Sequence, residues 1–186
     1  LSTQLVSSFK CPAGDGFSIE LVWSHCMRVG RLARRIVQLE GGDEELAEQA
    51  FTGGMLHDVG KFILAHNLGT RYLELVTRAR NENRLVVEIE REALQATHAE
   101  VGAYLLDLWG LPAPLVEAVA LHHQPSAATG TALTALAAVH VADALVRERE
   151  ASDLGRLAPQ LDEAYLQQLG LHERIASWRE ELAVEP

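Results

Sequence analysis

The sequence predicts an all-α fold. Apolar residues recur at intervals of three and four positions in most segments, which is the period of a helix packed on one face. Alternating patterns bounded by hairpin turns, which are typical of strands, are scarce. With 186 residues and 48% hydrophobic content, the chain can bury one sizeable core. We therefore expect a single domain over residues 1–186, with an opening helix and loop over residues 1–17 and a helical extension over residues 151–186.

Caps and glycines predict where the first helices begin and end. A long helix is expected over residues 18–39, and Gly41 and Gly42 stop it. Asp43 is a suitable N-cap for a second helix, which we expect to continue without a break to about residue 67. This second helix would carry a histidine and an aspartate side by side.

Similar signals divide the rest of the chain. Thr97 can cap a helix over residues 98–108, and Pro114 can open another helix that ends before Pro125. A long core helix is expected over residues 132–150 because one of its faces is strongly apolar. Shorter helices are expected over residues 70–81 and 88–94, and two weaker helices near the C-terminus.

The composition disfavours several classes of protein. A net charge of −10 and scattered basic residues leave no concentrated basic patch, so we expect no nucleic-acid partner. No apolar run reaches the ~18–20 residues of a membrane span, so we expect no membrane association. Two cysteines without C-x-x-C spacing fit a reducing compartment, and the predicted location is cytoplasmic.

Histidines carry the functional signal. Of the eight in the chain, most lie within apolar segments. Taken singly, each is more often a hydrogen-bonded core or surface residue than a metal ligand. His140 lies three residues before Asp143 and is expected to pack or to orient that aspartate, with direct ligation as the alternative.

His57 and Asp58 are adjacent within an apolar segment. Neighbouring helical residues diverge by about 100°, so the two side chains can approach one site from different angles. A carboxylate among apolar residues costs several kcal/mol unless it is paired or coordinated, and a bound metal ion would remove that cost. The alternative is an exposed Asp58 with His57 packed beneath it.

Two further residue types leave alternatives open. Lys61, one turn after Asp58, could bind a substrate phosphate or could extend along the surface into solvent. Trp23 and Trp109 are expected to be core residues rather than platforms for a substrate, since large aromatic side chains at helical spacing usually bury area.

Four segments carry a family resemblance. Residues 54–61 read Gly-Met-Leu-His-Asp-Val-Gly-Lys, residues 98–103 read His-Ala-Glu-Val-Gly-Ala, residues 109–112 read Trp-Gly-Leu-Pro, and residues 122–125 read His-His-Gln-Pro. These motifs resemble those of the HDOD (HD-related output domain) branch of the HD superfamily. The resemblance spans most of the chain and implies the helical bundle of that superfamily. A complete HDOD domain is longer, so most of its N-terminal helical region is expected to be absent from this sequence.

The resemblance also implies a metal-ligand set. The superfamily orders its metal ligands as H, HD, H, HH and D along the chain. This sequence has a residue of the required type at every position of that order. Imidazoles and carboxylates together suit one or two divalent transition-metal ions, of Fe, Mn, Zn or Ni. The implied ligands are His25, His57, Asp58, His98, His122, His123 and Asp143.

Two functions are compatible with this resemblance. The HDOD branch is regarded as a signalling output module of bacterial regulatory proteins, which implies a signalling partner or an upstream regulatory domain. Its members frequently lose metal ligands, so an intact set favours the alternative, a metal-dependent phosphohydrolase or phosphodiesterase acting on a nucleotide or cyclic dinucleotide. Asp58 and Lys61 would then be its catalytic residues. HD-GYP relatives carry Gly-Tyr-Pro after the paired histidines, and its absence here disfavours cyclic di-GMP.

Overall fold

The computed structural model describes residues 17–154 and 160–184, apart from the side chains of residues 152–154 and 182–184. The regular secondary structure of these ranges is helical, so the all-α prediction is confirmed. The predicted opening helix and loop, except for Phe17, lie outside the described residues. No helix in the described ranges combines the length and apolar character that a membrane span requires.

Ten α-helices occur in the described ranges, with short 3₁₀ turns at Pro125–Ala127 and His172–Arg174. The helices are α1 (Ile19–Leu39), α2 (Glu44–Leu56), α3 (Val59–Leu68), α4 (Thr70–Asn81), α5 (Val86–Leu94), α6 (His98–Leu108), α7 (Ala113–Leu121), α8 (Ala135–Leu154), α9 (Glu163–Gln168) and α10 (Ile175–Val184).

Side-chain caps fix the starts of α1, α2 and α6. The Ser18 side chain accepts a hydrogen bond from the Leu21 amide at 3.1 Å and opens α1. Asp43 caps α2 in the same way. Thr97 and Glu100 form a reciprocal capping box at the start of α6. These caps agree with the predicted helix starts because capping depends on residues a few positions apart.

Helix α8 forms the centre of the bundle. Every residue from 135 to 146 is buried, and α1, α2 and α7 pack around this segment. Tyr165 and Leu166 of α9 and Trp178 of α10 join the same core cluster. A helix buried on all sides can carry polar groups only where they are paired. The aspartate of this buried segment, Asp143, therefore requires a compensating partner.

Two glycines allow the helices around the histidines to approach closely. A Cβ atom on Gly60 would lie 1.9 Å from the carbonyl oxygen of His98, so α3 and α6 touch through their backbones. A Cβ atom on Gly54 would lie 2.6 Å from the Cα atom of Gly30, so α1 and α2 are also in close backbone contact. Larger residues would force α1, α2, α3 and α6 apart.

The predicted continuous helix after Asp43 is wrong. Helix α2 ends at Leu56 and α3 begins at Val59, so His57 and Asp58 lie in the turn between them. Asp58 has φ −100° and ψ 10°, which leaves the helical region. The paired histidines also follow the end of their helix, since α7 ends at Leu121.

The expected burial of two tryptophans is also wrong. Trp23 is 49% exposed and Trp109 is 65% exposed. Trp109 follows the last residue of α6 and lies beside the exposed Leu108. Helical spacing therefore does not predict burial at these two positions.

Candidate metal centre

The seven implied ligands meet in one pocket. Helix α1 supplies a histidine, the turn between α2 and α3 supplies the His-Asp pair, α6 supplies the histidine at its start, the turn after α7 supplies two histidines, and α8 supplies an aspartate. Six of the seven are buried and one is partly buried. These residues are His25, His57, Asp58, His98, His122, His123 and Asp143.

One half of the pocket, which we call the imidazole side, consists of His98, His122, His123 and the Oδ1 atom of Asp58. One ring nitrogen of each histidine lies within 4.8 Å of the others. The Nε2 atoms of His98 and His123 are 3.1 Å apart. Asp58 Oδ1 lies 3.2 Å from His98 Nε2. Four donor atoms from three parts of the chain thus face one small volume.

The other half, which we call the carboxylate side, consists of His25, His57, Asp143 and the Oδ2 atom of Asp58. His25 Nε2 donates to Asp143 Oδ1 at 2.9 Å. His57 Nε2 lies 3.5 Å from both Asp58 Oδ2 and Asp143 Oδ1. The two halves share Asp58, whose oxygens face opposite sides.

Two cations neutralise the buried carboxylates. Lys61 Nζ donates to Asp58 Oδ2 at 2.6 Å and is only 7% exposed as a residue, so it does not extend into solvent. Arg147 spans the two aspartates, with Nη2 2.8 Å from Asp58 Oδ2 and Nε 2.7 Å from Asp143 Oδ1. The sequence analysis did not single out Arg147, although it follows Asp143 by one helical turn.

These contacts keep both carboxylates ionised. Burial alone would raise the pKa of Asp58, but the charges of Lys61, His57 and Arg147 hold it well below its usual range. Burial acts on Asp143 in the same way, and Arg147 again lowers the pKa well below its usual value. The pocket therefore offers anionic oxygens at neutral pH.

The pKa values of the imidazoles shift in opposite directions on the two sides of the pocket. Burial lowers the pKa of His122 and His123 well below the ordinary value, so both rings are neutral at neutral pH and can offer a lone pair. Burial also lowers the pKa of His57, but the charge of Asp58 outweighs it and raises the pKa well above the ordinary value. A cation at His57 must therefore displace a proton.

Outer hydrogen bonds orient the rings. When Nδ1 donates to an oxygen, Nε2 is the atom free to bind a cation. Three of the pocket histidines have Nδ1 held in this way, namely His57 by the Gly54 carbonyl at 2.7 Å, His98 by Glu90 at 2.6 Å and His122 by the Val119 carbonyl at 2.8 Å. His25 differs, because its Nδ1 contacts Glu150 at 3.2 Å while its Nε2 contacts Asp143.

Glu90 holds His98 through several contacts. Its Oε2 atom accepts from the backbone amide of His98 at 2.8 Å and from the ring Nδ1 at 2.6 Å. Its Oε1 atom accepts from the Tyr72 hydroxyl at 2.6 Å. Burial alone would raise the pKa of Glu90, but His98 and these hydrogen bonds lower it. The sequence analysis assigned no role to Glu90, because its spacing from His98 gives no sign of contact.

His140 lies behind the pocket rather than in it. Its Nδ1 atom donates to the His122 carbonyl at 2.7 Å, and its Nε2 atom accepts from the Asp162 amide at 3.0 Å. Both ring nitrogens are therefore occupied, and His140 positions the turn that carries His122. This agrees with the expected packing or orienting role, although its partner is a backbone carbonyl rather than Asp143.

The residues present fit a divalent metal ion. His57 Nε2, Asp58 Oδ1 and His122 Nε2 are buried and have no hydrogen-bond partner. Each buried polar atom left in this state costs about 1–3 kcal/mol. All three are atoms that coordinate transition metals, and they converge on one pocket. A bound cation would satisfy them together.

The amino-acid sequence is similar to a known domain family and to curated proteins. The family model described as the HDOD domain matches residues 1–125. Ribonuclease Y of Thermus thermophilus, from two strains, is 32% identical over 155 residues, which are 83% of this chain. The chain spans only 20% of the length of these curated relatives.

Solved structures share the fold. An HDOD domain protein of unknown function from Geobacter sulfurreducens is 22% identical, with a TM-score of 0.74 over 96% of this chain and 62% of that one. A candidate signal transduction protein from Marinobacter aquaeolei is 21% identical, with a TM-score of 0.75 over 96% of this chain and 40% of that one. Because the family match extends over more than half of its residues, the chain belongs to the HDOD domain family.

Proposed function

We propose that this chain is a metal-binding HDOD domain of a bacterial signalling protein. The observation that carries metal binding is the group of three buried donor atoms without hydrogen-bond partners, on His57, Asp58 and His122. Imidazole and carboxylate ligands favour Fe, Mn, Zn or Ni over Ca. The ligands for one or two such ions would come from His25, His57, Asp58, His98, His122, His123 and Asp143.

The signalling role is supported by family membership. HDOD domains are regarded as output modules of signalling proteins. The partner of this chain would therefore be a regulatory domain or a separate signalling protein. The structurally similar protein from Marinobacter aquaeolei is named as a candidate signal transduction protein, but at 21% identity the likeness supports the fold alone. Tyr165 and Trp178 share one core with α8, which supports a single domain that includes the C-terminal helices.

Metal content provides the first test. We expect purified protein loaded with Mn(II) or Zn(II) to retain at least one ion per chain after desalting, measured by inductively coupled plasma mass spectrometry. His122→Ala should weaken binding at least tenfold, about 1.4 kcal/mol, because it removes a neutral, oriented imidazole. His172→Ala is the matched control, since that side chain is 42% exposed and lies near Glu163. A folded wild-type protein that takes up no divalent ion contradicts the proposal.

A second prediction concerns Glu90, which would orient His98 without touching the metal. Glu90→Gln should weaken metal affinity by about 10–100-fold, because it removes the carboxylate that fixes the ring and strengthens its basicity. Isothermal titration calorimetry measures the affinity, and circular dichroism checks the helical content. Glu88→Gln on the same helix is the control, since its carboxylate is exposed and pairs with Arg84. Equal affinity in both variants would refute this role.

A second candidate function is hydrolysis of a phosphodiester in a nucleotide or cyclic dinucleotide. It is favoured by Lys61, whose buried ammonium lies 2.6 Å from Asp58 Oδ2. A metal ion would supply Lewis-acid charge at the reacting phosphate. Asp58 would hold that charge in position, and Lys61 would donate a hydrogen bond to a phosphate oxygen. The likeness to Ribonuclease Y supports a phosphodiester in general, whereas the net charge of −10 argues against RNA itself.

Turnover of phosphodiesters tests this second function. With Mn(II) or Fe(II) added, we expect hydrolysis of bis(4-nitrophenyl) phosphate or a cyclic dinucleotide to fall about 100-fold in Lys61→Met, the effect of losing one donor to developing charge. Asp58→Asn should abolish it. Arg80→Met controls for loss of a positive charge elsewhere in the chain. If metal-loaded wild-type protein turns over neither substrate, the hydrolytic function is contradicted and signalling remains as the proposed function.

A further inference from the structure

The turn that carries His122 and His123 is anchored from outside the pocket at two points. The His122 carbonyl accepts a hydrogen bond from His140 Nδ1 at 2.7 Å. Ser126, in the 3₁₀ turn that follows the paired histidines, donates its hydroxyl hydrogen to Asp162 Oδ2. Both anchors come from distant parts of the chain, since His140 belongs to α8 and Asp162 directly precedes α9. The position of two candidate ligands therefore depends on residues that are not ligands.

Asp162 joins three parts of the chain. Its carboxylate accepts from the Ser126 hydroxyl through Oδ2 and from the Tyr165 amide through Oδ1 at 3.0 Å, which caps α9. Its backbone amide donates to His140 Nε2 at 3.0 Å. The start of α9, the turn after α7 and the central helix α8 thus meet at one residue. If α9 moved away, the contacts of Asp162 with Ser126 and His140 would break together.

His140 is the step between Asp162 and the pocket. Its side chain is buried in the segment of α8 that lies at the centre of the bundle. A neutral ring with its proton on Nδ1 satisfies both neighbours, because it donates to the His122 carbonyl and accepts from the Asp162 amide. Without that amide, Nε2 would be buried and unpaired, which native structures avoid. A ring that turned to find another donor would release the His122 carbonyl.

Tertiary contacts hold α9 in place. Tyr165 and Leu166 are buried in the core cluster around α8, and Gln168 Nε2 donates to the Gly130 carbonyl at 3.0 Å. The helix has only six residues, and a helix of this length is not stable in water by itself. The order of α9 therefore depends on its docking, and docking is what brings Asp162 to His140.

We propose that docking of α9 and metal binding in the pocket are coupled through Asp162 and His140, which act as positioning residues for His122. This inference rests on the proposed metal binding and adds a connection through which that site is regulated. Each event orders the turn that the other requires, so each strengthens the other. By the same linkage, a signalling partner that displaced α9 would weaken metal binding.

A double-mutant cycle measures the coupling. The Zn(II) affinity, obtained by competition with a chromophoric chelator, should fall about tenfold in Asp162→Ala, which removes the cap of α9 and the contact with Ser126. In His140→Asn, the side-chain amide nitrogen takes the place of Nδ1 and keeps the hydrogen bond to the His122 carbonyl, but the shorter side chain does not reach the Asp162 amide. Asp162→Ala should therefore leave the affinity unchanged in the His140→Asn background.

Asp43→Ala is the matched control for loss of a capping aspartate. Asp43 accepts from the Leu46 amide at 2.8 Å and caps α2 at the end remote from His57. This variant should bind Zn(II) with wild-type affinity, and circular dichroism checks the helical content of every variant. An equal loss of affinity from Asp162→Ala in both backgrounds, or the same loss in Asp43→Ala, would mean that the cap only stabilises the fold and would overturn the coupling.

A second measurement uses the wild-type protein alone, in case a variant does not fold. Because coupling between two equilibria is reciprocal, amide hydrogen exchange in α9 should slow about tenfold when Zn(II) is bound. Amides in the turn between α1 and α2 are the internal reference and should exchange at an unchanged rate. Equal exchange in α9 with and without bound Zn(II), or an equal slowing in the reference turn, would overturn the inference.

Metal uptake separates this inference from the proposed function. A folded wild-type protein that takes up no divalent ion refutes the proposed metal binding and the coupling with it. If Asp162→Ala binds Zn(II) as tightly as the wild-type protein does, the coupling alone is overturned and metal binding stands.

Discussion

Two ionised carboxylates buried in a helical core, Asp58 and Asp143, set the main constraint on this molecule. Neither can lie in an apolar interior without positive charge or strong donors around it. Lys61 of α3, Arg147 of α8 and His25 of α1 meet that requirement together with the other pocket imidazoles. The electrostatics of the pocket thus tie α1, α3 and α8 together, and the same groups form the candidate metal site.

Close backbone contact makes this arrangement geometrically accessible. Gly60 allows α3 to touch the carbonyl of His98, and Gly54 allows α2 to touch α1 at Gly30. The break between α2 and α3 then turns His57 and Asp58 toward the centre. A continuous helix would carry their side chains about 100° apart around one axis. The glycines flanking this pair therefore position ligands without being ligands.

Features set by nearby residues could be predicted from the sequence, whereas features set by tertiary contacts could not. The Ser18 and Thr97 caps depend on residues three positions away, and both helix starts agree with prediction. The family resemblance identified a set of residues that do lie in one pocket. The break at Asp58 accompanies the close approach of α3 to α6 at Gly60, and neither a proline nor a side-chain cap marks it locally. Arg147 was missed because charged helical residues usually face solvent, and its pairing with Asp58 joins residues 89 positions apart.

Anomalous diffraction from crystals of Zn(II)-loaded protein, recorded at the zinc absorption edge, tests the central claim most directly. The account predicts at least one strong peak in the pocket, about 2.0–2.2 Å from Nε2 atoms of the pocket histidines and from an oxygen of Asp58. A pocket without an anomalous peak would contradict metal binding.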